Sequence, residues 1–222
     1  MQGFMQVPEF VYAVPEVPAR LILIGLCSYT TQLLFNDRLA SRQDASQKGI
    51  AGAIDGGLAY SRVDKPCITY YSDADYAGDQ ENRRSTSGLI SFLSTAPISF
   101  KSQQQTSVAI STAEAEYVAC TLAVKELIWL ERFVKELKIP VSPIGKLFCD
   151  NQSAIRLMKN PEFHDRTKHI DTRYHFIREQ FLLGNFQLFY VPTDQQKADI
   201  FTKALPADAH NHLKQQIGCT GG

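Results

Sequence analysis

Four acidic residues stand in settings that could do chemistry together. They are Asp73 in Tyr71-Ser72-Asp73-Ala74-Asp75-Tyr76, Glu116 in Ala113-Glu114-Ala115-Glu116-Tyr117, Asp150 in Phe148-Cys149-Asp150-Asn151, and Asp199 in Lys197-Ala198-Asp199-Ile200-Phe201. Asp73 and Asp150 follow apolar runs that read as strands, whereas Glu116 and Asp199 fall in helical patterns. Each acid alone reads as a solvated surface group. Acids at strand ends, joined by acids on neighbouring helices, point instead to a shared cleft. Converging carboxylates repel unless protonated or neutralised by a cation. Oxygen-only ligands select a hard divalent ion, Mg²⁺ or Mn²⁺. Two such ions about 4 Å apart suit phosphodiester hydrolysis.

The elements that must hold these acids can be read after Lys65. Cys67 to Tyr71 is β-branched and aromatic, a strand, and the polar stretch Asp75 to Ser87 with Gly78 is a loop. Gly88 to Leu93 and Ile98 to Phe100 are further strands, with Pro97 marking the turn between them. Between Thr112 and Lys138, Tyr117, Cys120, Val124, Leu127, Leu130, Val134 and Leu137 recur at helical spacing, with Ser111 or Thr112 as the cap and Pro140 as the stop. Lys146 to Cys149 is a strand, Asn151 to Met158 a short helix, Thr167 to Leu183 another helix closed by Gly184, and Phe186 to Val191 a fifth strand. Thr193 to Lys203 reads as a final short helix. The order βββαβααβα predicts an α/β fold with a five-stranded mixed sheet and helices on both faces. If the first and fourth strands are neighbours, Asp73 and Asp150 lie side by side. Glu114 and Glu116 are about 200° apart on a helix, so only one of them faces the cleft.

Composition narrows the class. The chain has 222 residues, of which 44% are hydrophobic, enough for one folded domain with an appendage. Formal net charge is zero, so attraction to nucleic acid must come from a local basic patch. Five scattered cysteines without a C-x-x-C pair fit a reducing compartment, an intracellular one, cytoplasmic or nuclear. The longest apolar stretch, Leu21 to Phe35, is interrupted by Ser28, Thr30, Thr31 and Gln32 and is too short to span a bilayer. No membrane association or secretion is expected. Residues 1–65 read as a poorly ordered remnant with weak signals for a short helix and a strand, residues 66–206 as the folded domain, and residues 207–222 as a flexible tail.

Ordered motifs carry a resemblance. SDADYAGD (72–79), RRSTSG (83–88), AEAEYVA (113–119), CDNQSAI (149–155), RTKHIDTRYHFIRE (166–179), YVPT (190–193) and ADIFTKALP (198–206) resemble the ribonuclease H domain of copia-type long-terminal-repeat retrotransposon polyproteins. The resemblance implies a ribonuclease H-like fold and hydrolysis of the RNA strand of an RNA–DNA hybrid with two Mg²⁺ ions (Mn²⁺ as a substitute). It implies metal binding and catalysis by Asp73, Glu116, Asp150 and Asp199, and it favours Glu116 over Glu114. Arg83, Arg84, Lys101, Gln103, Asn151, Arg166, Lys168 and Arg173 are the expected nucleic-acid contacts.

The chain departs from the pattern in places. Phe100 to Gln105 stands where the family has a Trp and paired lysines. No histidine lies between Tyr190 and Asp199, where many cellular ribonucleases H carry a catalytic one. No Tyr-x-Asp-Asp motif is present, so the chain reads as a polyprotein fragment without polymerase chemistry. The alternative is a catalytically inactive remnant that at most binds nucleic acid. His164, His169 and His175 lack a cysteine pair and do not read as a zinc site. The absence of a G-x-S-x-G elbow speaks against a serine hydrolase.

Overall fold

The computed structural model describes residues 57–58, 66–142, 144–160 and 171–220. Strand β1 (Ile68–Asp75), β2 (Thr86–Leu93) and β3 (Ala96–Gln104) form a meander. Helix α1 (Thr112–Glu136) follows, then β4 (Gly145–Cys149), α2 (Gln152–Lys159), α3 (Asp171–Leu182) and β5 (Phe186–Tyr190). Two 3-10 turns, Thr193–Gln195 and Asp199–Phe201, lead to α4 (Ala207–Gln216). The sheet order is β3-β2-β1-β4-β5. The β1–β2 and β2–β3 pairs are antiparallel, whereas β1–β4 and β4–β5 are parallel. This is a mixed five-stranded sheet in an α/β fold, as the element order predicts.

Alternation along β1 divides the molecule. Ile68 and Tyr70 are fully buried and pack with Leu127, Val124 and Val134 of α1 and Leu147 of β4. Each such side chain contributes about 1.5–3 kcal/mol when taken from water. Tyr71 faces the other way, stacked on Phe148 at 4.9 Å, and Phe148 stacks in turn on Phe189 at 5.3 Å. Helices α1, α2 and α3 pack on one face and on one another. The opposite face is covered by the 3-10 turns and by Ile217 beyond α4, which joins Ile90, Phe92 and Ala198.

Several boundaries differ from the sequence expectation. β1 runs on to Asp75, because Ser72 to Asp75 pair with Leu89 to Thr86 in full register. Pro97 lies inside β3, opposite Phe92, and the turn is made at Ser94, whose φ is 59°. The expected helix over Thr193 to Lys203 is two 3-10 turns, too short to repeat an apolar face. The expected flexible tail contains α4, with Leu213 and Ile217 buried. Cys219–Thr220 pairs antiparallel with Gly57–Leu58. The rest of the expected remnant at 1–65 lies outside the described residues. No described helix is long and apolar enough to cross a membrane.

Candidate active site

Register brings the two strand acids together. Tyr71 lies beside Phe148 in the parallel pair, and Asp73 and Asp150 each follow two residues later. They stand at the carboxyl ends of β1 and β4, where the chain turns outward in opposite directions, the usual ligand position of an open α/β sheet. Asp73 is on the 3-10 side of the sheet, whereas Glu116 approaches from α1 on the other side. Asp150, just past the end of β4, borders both layers. Its carboxylate lies in one group with Asp73 and Asp199, and in a second with Glu116 and Cys149, the ligand atoms of each group falling within 4.8 Å of one another.

Local structure explains why Glu116 rather than Glu114 reaches the cleft. Ser111 Oγ accepts the Glu114 N–H at 3.1 Å, and Glu114 Oε2 accepts the Ile110 N–H at 2.8 Å. That exchange satisfies donors at the start of α1, in the manner of a capping box. Glu116 is buried, and its Oε2 has no hydrogen-bond partner among the described residues.

The acids are embedded among hydroxyls and one ammonium. Thr202 Oγ1 donates to Asp73 Oδ2, and Thr193 Oγ1 donates to Asp150 Oδ2 at 2.9 Å. Lys203 Nζ lies 3.0 Å from Asp199 Oδ2 and 3.8 Å from Asp73 Oδ2. Gln196, fully buried, donates from Nε2 to the Ser72 carbonyl at 2.9 Å and ties the preceding loop to β1. Gly88 sits opposite Asp73 and leaves room for Thr202.

Burial shapes the charge state of the metal-free cluster. Burial, reinforced by Asp73, Cys149 and Asp150, pushes Glu116 up to about 11. Burial and Asp73 push Asp199 up to about 7, against the pull of Lys203. Asp150 is raised by burial and by Asp73, with the Thr193 hydroxyl and Lys203 opposing. Burial lowers Lys203, but the carboxylates around it outweigh that and hold its ammonium above the usual range. Among the described residues Lys203 is the ammonium paired with these carboxylates, and Asp199 Oδ1 and Glu116 Oε2 have no hydrogen-bond partner. A hard divalent cation fits such a donor set.

The expected nucleic-acid contacts fall on several elements. Arg83 is exposed and Arg84 half-buried in the loop between β1 and β2, which is closed by Asp79 through the Arg83 and Arg84 backbone. Lys101 and Gln103 lie on edge strand β3, Gln103 opposite Ser87. Asn151 has a structural task, since its Oδ1 accepts the Ala154 N–H at 3.0 Å as the cap of α2. Arg166 and Lys168 lie outside the described residues, and Arg173 is described only as a position on α3. Thr193, Gln196, Thr202 and Lys203 were not singled out from sequence. Three of them fall within the YVPT and ADIFTKALP motifs, which could have flagged them; Gln196 had no comparable signal.

No protein-family model matches the chain. It is 43% identical over 153 residues to the retrovirus-related Pol polyprotein from transposon TNT 1-94 of Nicotiana tabacum, covering 69% of this chain and 11% of that one. It is 39% identical over 169 residues to the Pol polyprotein from transposon RE2 of Arabidopsis thaliana, covering 76% of this chain and 12% of that one. The chain therefore spans only about an eighth of the length of these relatives. A solved complex of LC11-RNase H1 with an RNA/DNA hybrid aligns at 14% identity and a TM-score of 0.45, over 61% of this chain and 93% of that one. With this level of identity over more than two thirds of its length, the chain belongs with the retrovirus-related Pol polyproteins of transposons.

Proposed function

We propose that this chain is a divalent-metal-dependent endonuclease that hydrolyses the RNA strand of RNA–DNA hybrids. The observation that carries the reading is the convergence of Asp73, Glu116, Asp150 and Asp199 at the carboxyl ends of β1 and β4, with buried oxygens of Glu116 and Asp199 left without hydrogen-bond partners among the described residues. Asp73, Asp150 and Asp199 would hold one Mg²⁺ or Mn²⁺, and Glu116 with Asp150 would hold a second. Such ions supply Lewis acidity toward the phosphodiester and its attacking water.

The remaining work falls to the chain itself. The Thr193 and Thr202 hydroxyls fix the rotamers of Asp150 and Asp73, so both carboxylates are aimed before substrate arrives. Lys203 keeps Asp199 turned into the cluster. Arg83, Arg84, Lys101 and Gln103, with Arg166, Lys168 and Arg173, would meet phosphates and 2′-hydroxyls of the hybrid. Asn151 would reach substrate only with the side-chain atoms its cap leaves over. Such a substrate is intracellular, in agreement with the free thiols of Cys67, Cys120 and Cys149 among the described residues.

The test is cleavage of an end-labelled hybrid by purified protein with Mg²⁺ or Mn²⁺, beside Asp150→Asn. Cleavage that falls about a thousandfold or more in the variant, roughly 4 kcal/mol of transition-state stabilisation, supports the reading. A folded protein that binds hybrid but never cleaves it would leave the other reading, a nucleic-acid-binding remnant.

A further inference from the structure

The two ligand groups around Asp150 differ in chemistry. Asp73, Asp150 and Asp199 offer oxygen alone, whereas Glu116, Cys149 and Asp150 offer two carboxylates and a thiol. We propose that the Glu116–Cys149–Asp150 group is a second kind of metal site, one that takes a thiophilic divalent cation of the Zn²⁺ class and thereby competes with the hard ion for Asp150. The proposal rests on the carboxylate site described above and concerns its selectivity.

Geometry supports it on three counts. The three ligand atoms lie within 4.8 Å of one another, and two metal–ligand bonds of about 2.3 Å span nearly that distance. Glu116 is 6% exposed, one of its carboxylate oxygens lies in the group, and its Oε2 has no hydrogen-bond partner among the described residues. Cys149 is fully buried at the end of β4, and the Asn151 N–H points at its Sγ from 3.4 Å. That N–H is placed to stabilise a thiolate, as outer groups do around metal-bound sulfur. On coordination the Cys149 thiol gives its proton to solvent and the sulfur binds as thiolate. Asp150, half-buried, leaves the path open from the cleft.

Softness decides the selectivity. Mg²⁺ gains little from sulfur, whereas Zn²⁺ and Cd²⁺ bind it strongly. The chain would therefore be open to poisoning by low concentrations of thiophilic ions while Mg²⁺ is present in large excess.

Cd²⁺ is the probe, because a cadmium–thiolate bond gives a charge-transfer absorption. Reduced, metal-free protein is titrated with Cd²⁺ as wild type, Cys149→Ser, Cys120→Ser and Glu116→Gln, each checked for fold by circular dichroism. The band is expected in wild type and Cys120→Ser, to lose the Cys149 increment in Cys149→Ser, and to need about tenfold more Cd²⁺ in Glu116→Gln. A band of unchanged amplitude in Cys149→Ser, with unchanged affinity in Glu116→Gln, overturns the proposal. Hybrid cleavage by wild type with Mg²⁺ is followed alongside. Cleavage without a Cys149-dependent band sinks this inference and leaves the nuclease reading intact; a Cys149-dependent band without cleavage does the reverse.

Discussion

Gly88 and Thr202 are packed so closely that the first residue must lack a side chain. A Cβ on Gly88 would meet Thr202 Cγ2 at 2.5 Å and the Ala198 carbonyl at 3.0 Å. Thr202 cannot turn aside freely, because its hydroxyl bonds both Asp73 and the Asp199 carbonyl. The close approach is what lays the Asp199 turn on the sheet beside Asp73.

Gly88→Ala should therefore push that turn away. Stability is expected to fall by about 1–3 kcal/mol through overpacking, read as a lower urea midpoint. Hybrid cleavage is expected to fall further, by about 100-fold, since a displacement on the order of 1 Å misaligns the carboxylates. An alanine variant with native stability and cleavage would show that the turn is not held by this contact.

Lys203→Met removes the ammonium from Asp199 while keeping most of the stem. Lys203 is about one-third exposed, so the loss in metal-free stability is expected to stay near or below about 1 kcal/mol. Mn²⁺ should bind about three- to tenfold more tightly, because a tethered competitor is gone. Isothermal titration calorimetry reads this directly, and weaker Mn²⁺ binding in the variant would contradict it.

Metal-free stability should depend on pH in a direction opposite to ordinary acid unfolding. Glu116 and Asp199 are held up to about 11 and about 7 in the folded protein. Above the ordinary carboxylate range the unfolded chain has lost those protons and the folded protein keeps them. Stability from these groups is thus fullest at the acid end and declines as pH rises, by up to ~1.4 kcal/mol per pH unit for each proton. Asp199 contributes until about pH 7 and Glu116 beyond it. Thermal melts in EDTA of wild type and Glu116→Gln isolate the larger effect: the glutamine variant should gain on wild type between about pH 5 and 8. Saturating Mg²⁺ should stabilise wild type most at the alkaline end. A difference that shrinks with pH would refute the protonated state of Glu116.

Asn151→Ala is expected to cost about 1 kcal/mol through the lost α2 cap, while Asn151→Ser restores most of it. Chemical denaturation gives the stability, and hybrid affinity at fixed salt shows whether Asn151 also touches substrate. Equal stability of the alanine variant would mean that water caps α2 as well as Asn151 does.

The sequence alone determined the element order from the first strand of the sheet to the fifth, and it singled out the four acids that the structure gathers into two groups. The β-branched and aromatic run Cys67 to Tyr71 and the helical spacing of Tyr117, Cys120, Val124 and Leu127 are local signals, carried by residues close in the chain. The cap at Ser111 was legible for the same reason. That the first and fourth strands are neighbours was a conditional expectation, and only the tertiary structure established the register that sets Asp73 beside Asp150. The short turns after Thr193 were misread as a helix, because segments of three residues carry no period to detect. The helix over Ala207–Gln216 was missed because its polar run buries little beyond Leu213. Lys203, Thr202, Thr193 and Gln196 acquired their tasks solely through long-range contacts with β1 and β4, and such contacts leave no spacing in the chain. The division of Asp150 between an all-oxygen group and one containing Cys149 arises likewise from side chains of two layers meeting at the carboxyl ends of β1 and β4, a matter of folded geometry rather than of sequence pattern.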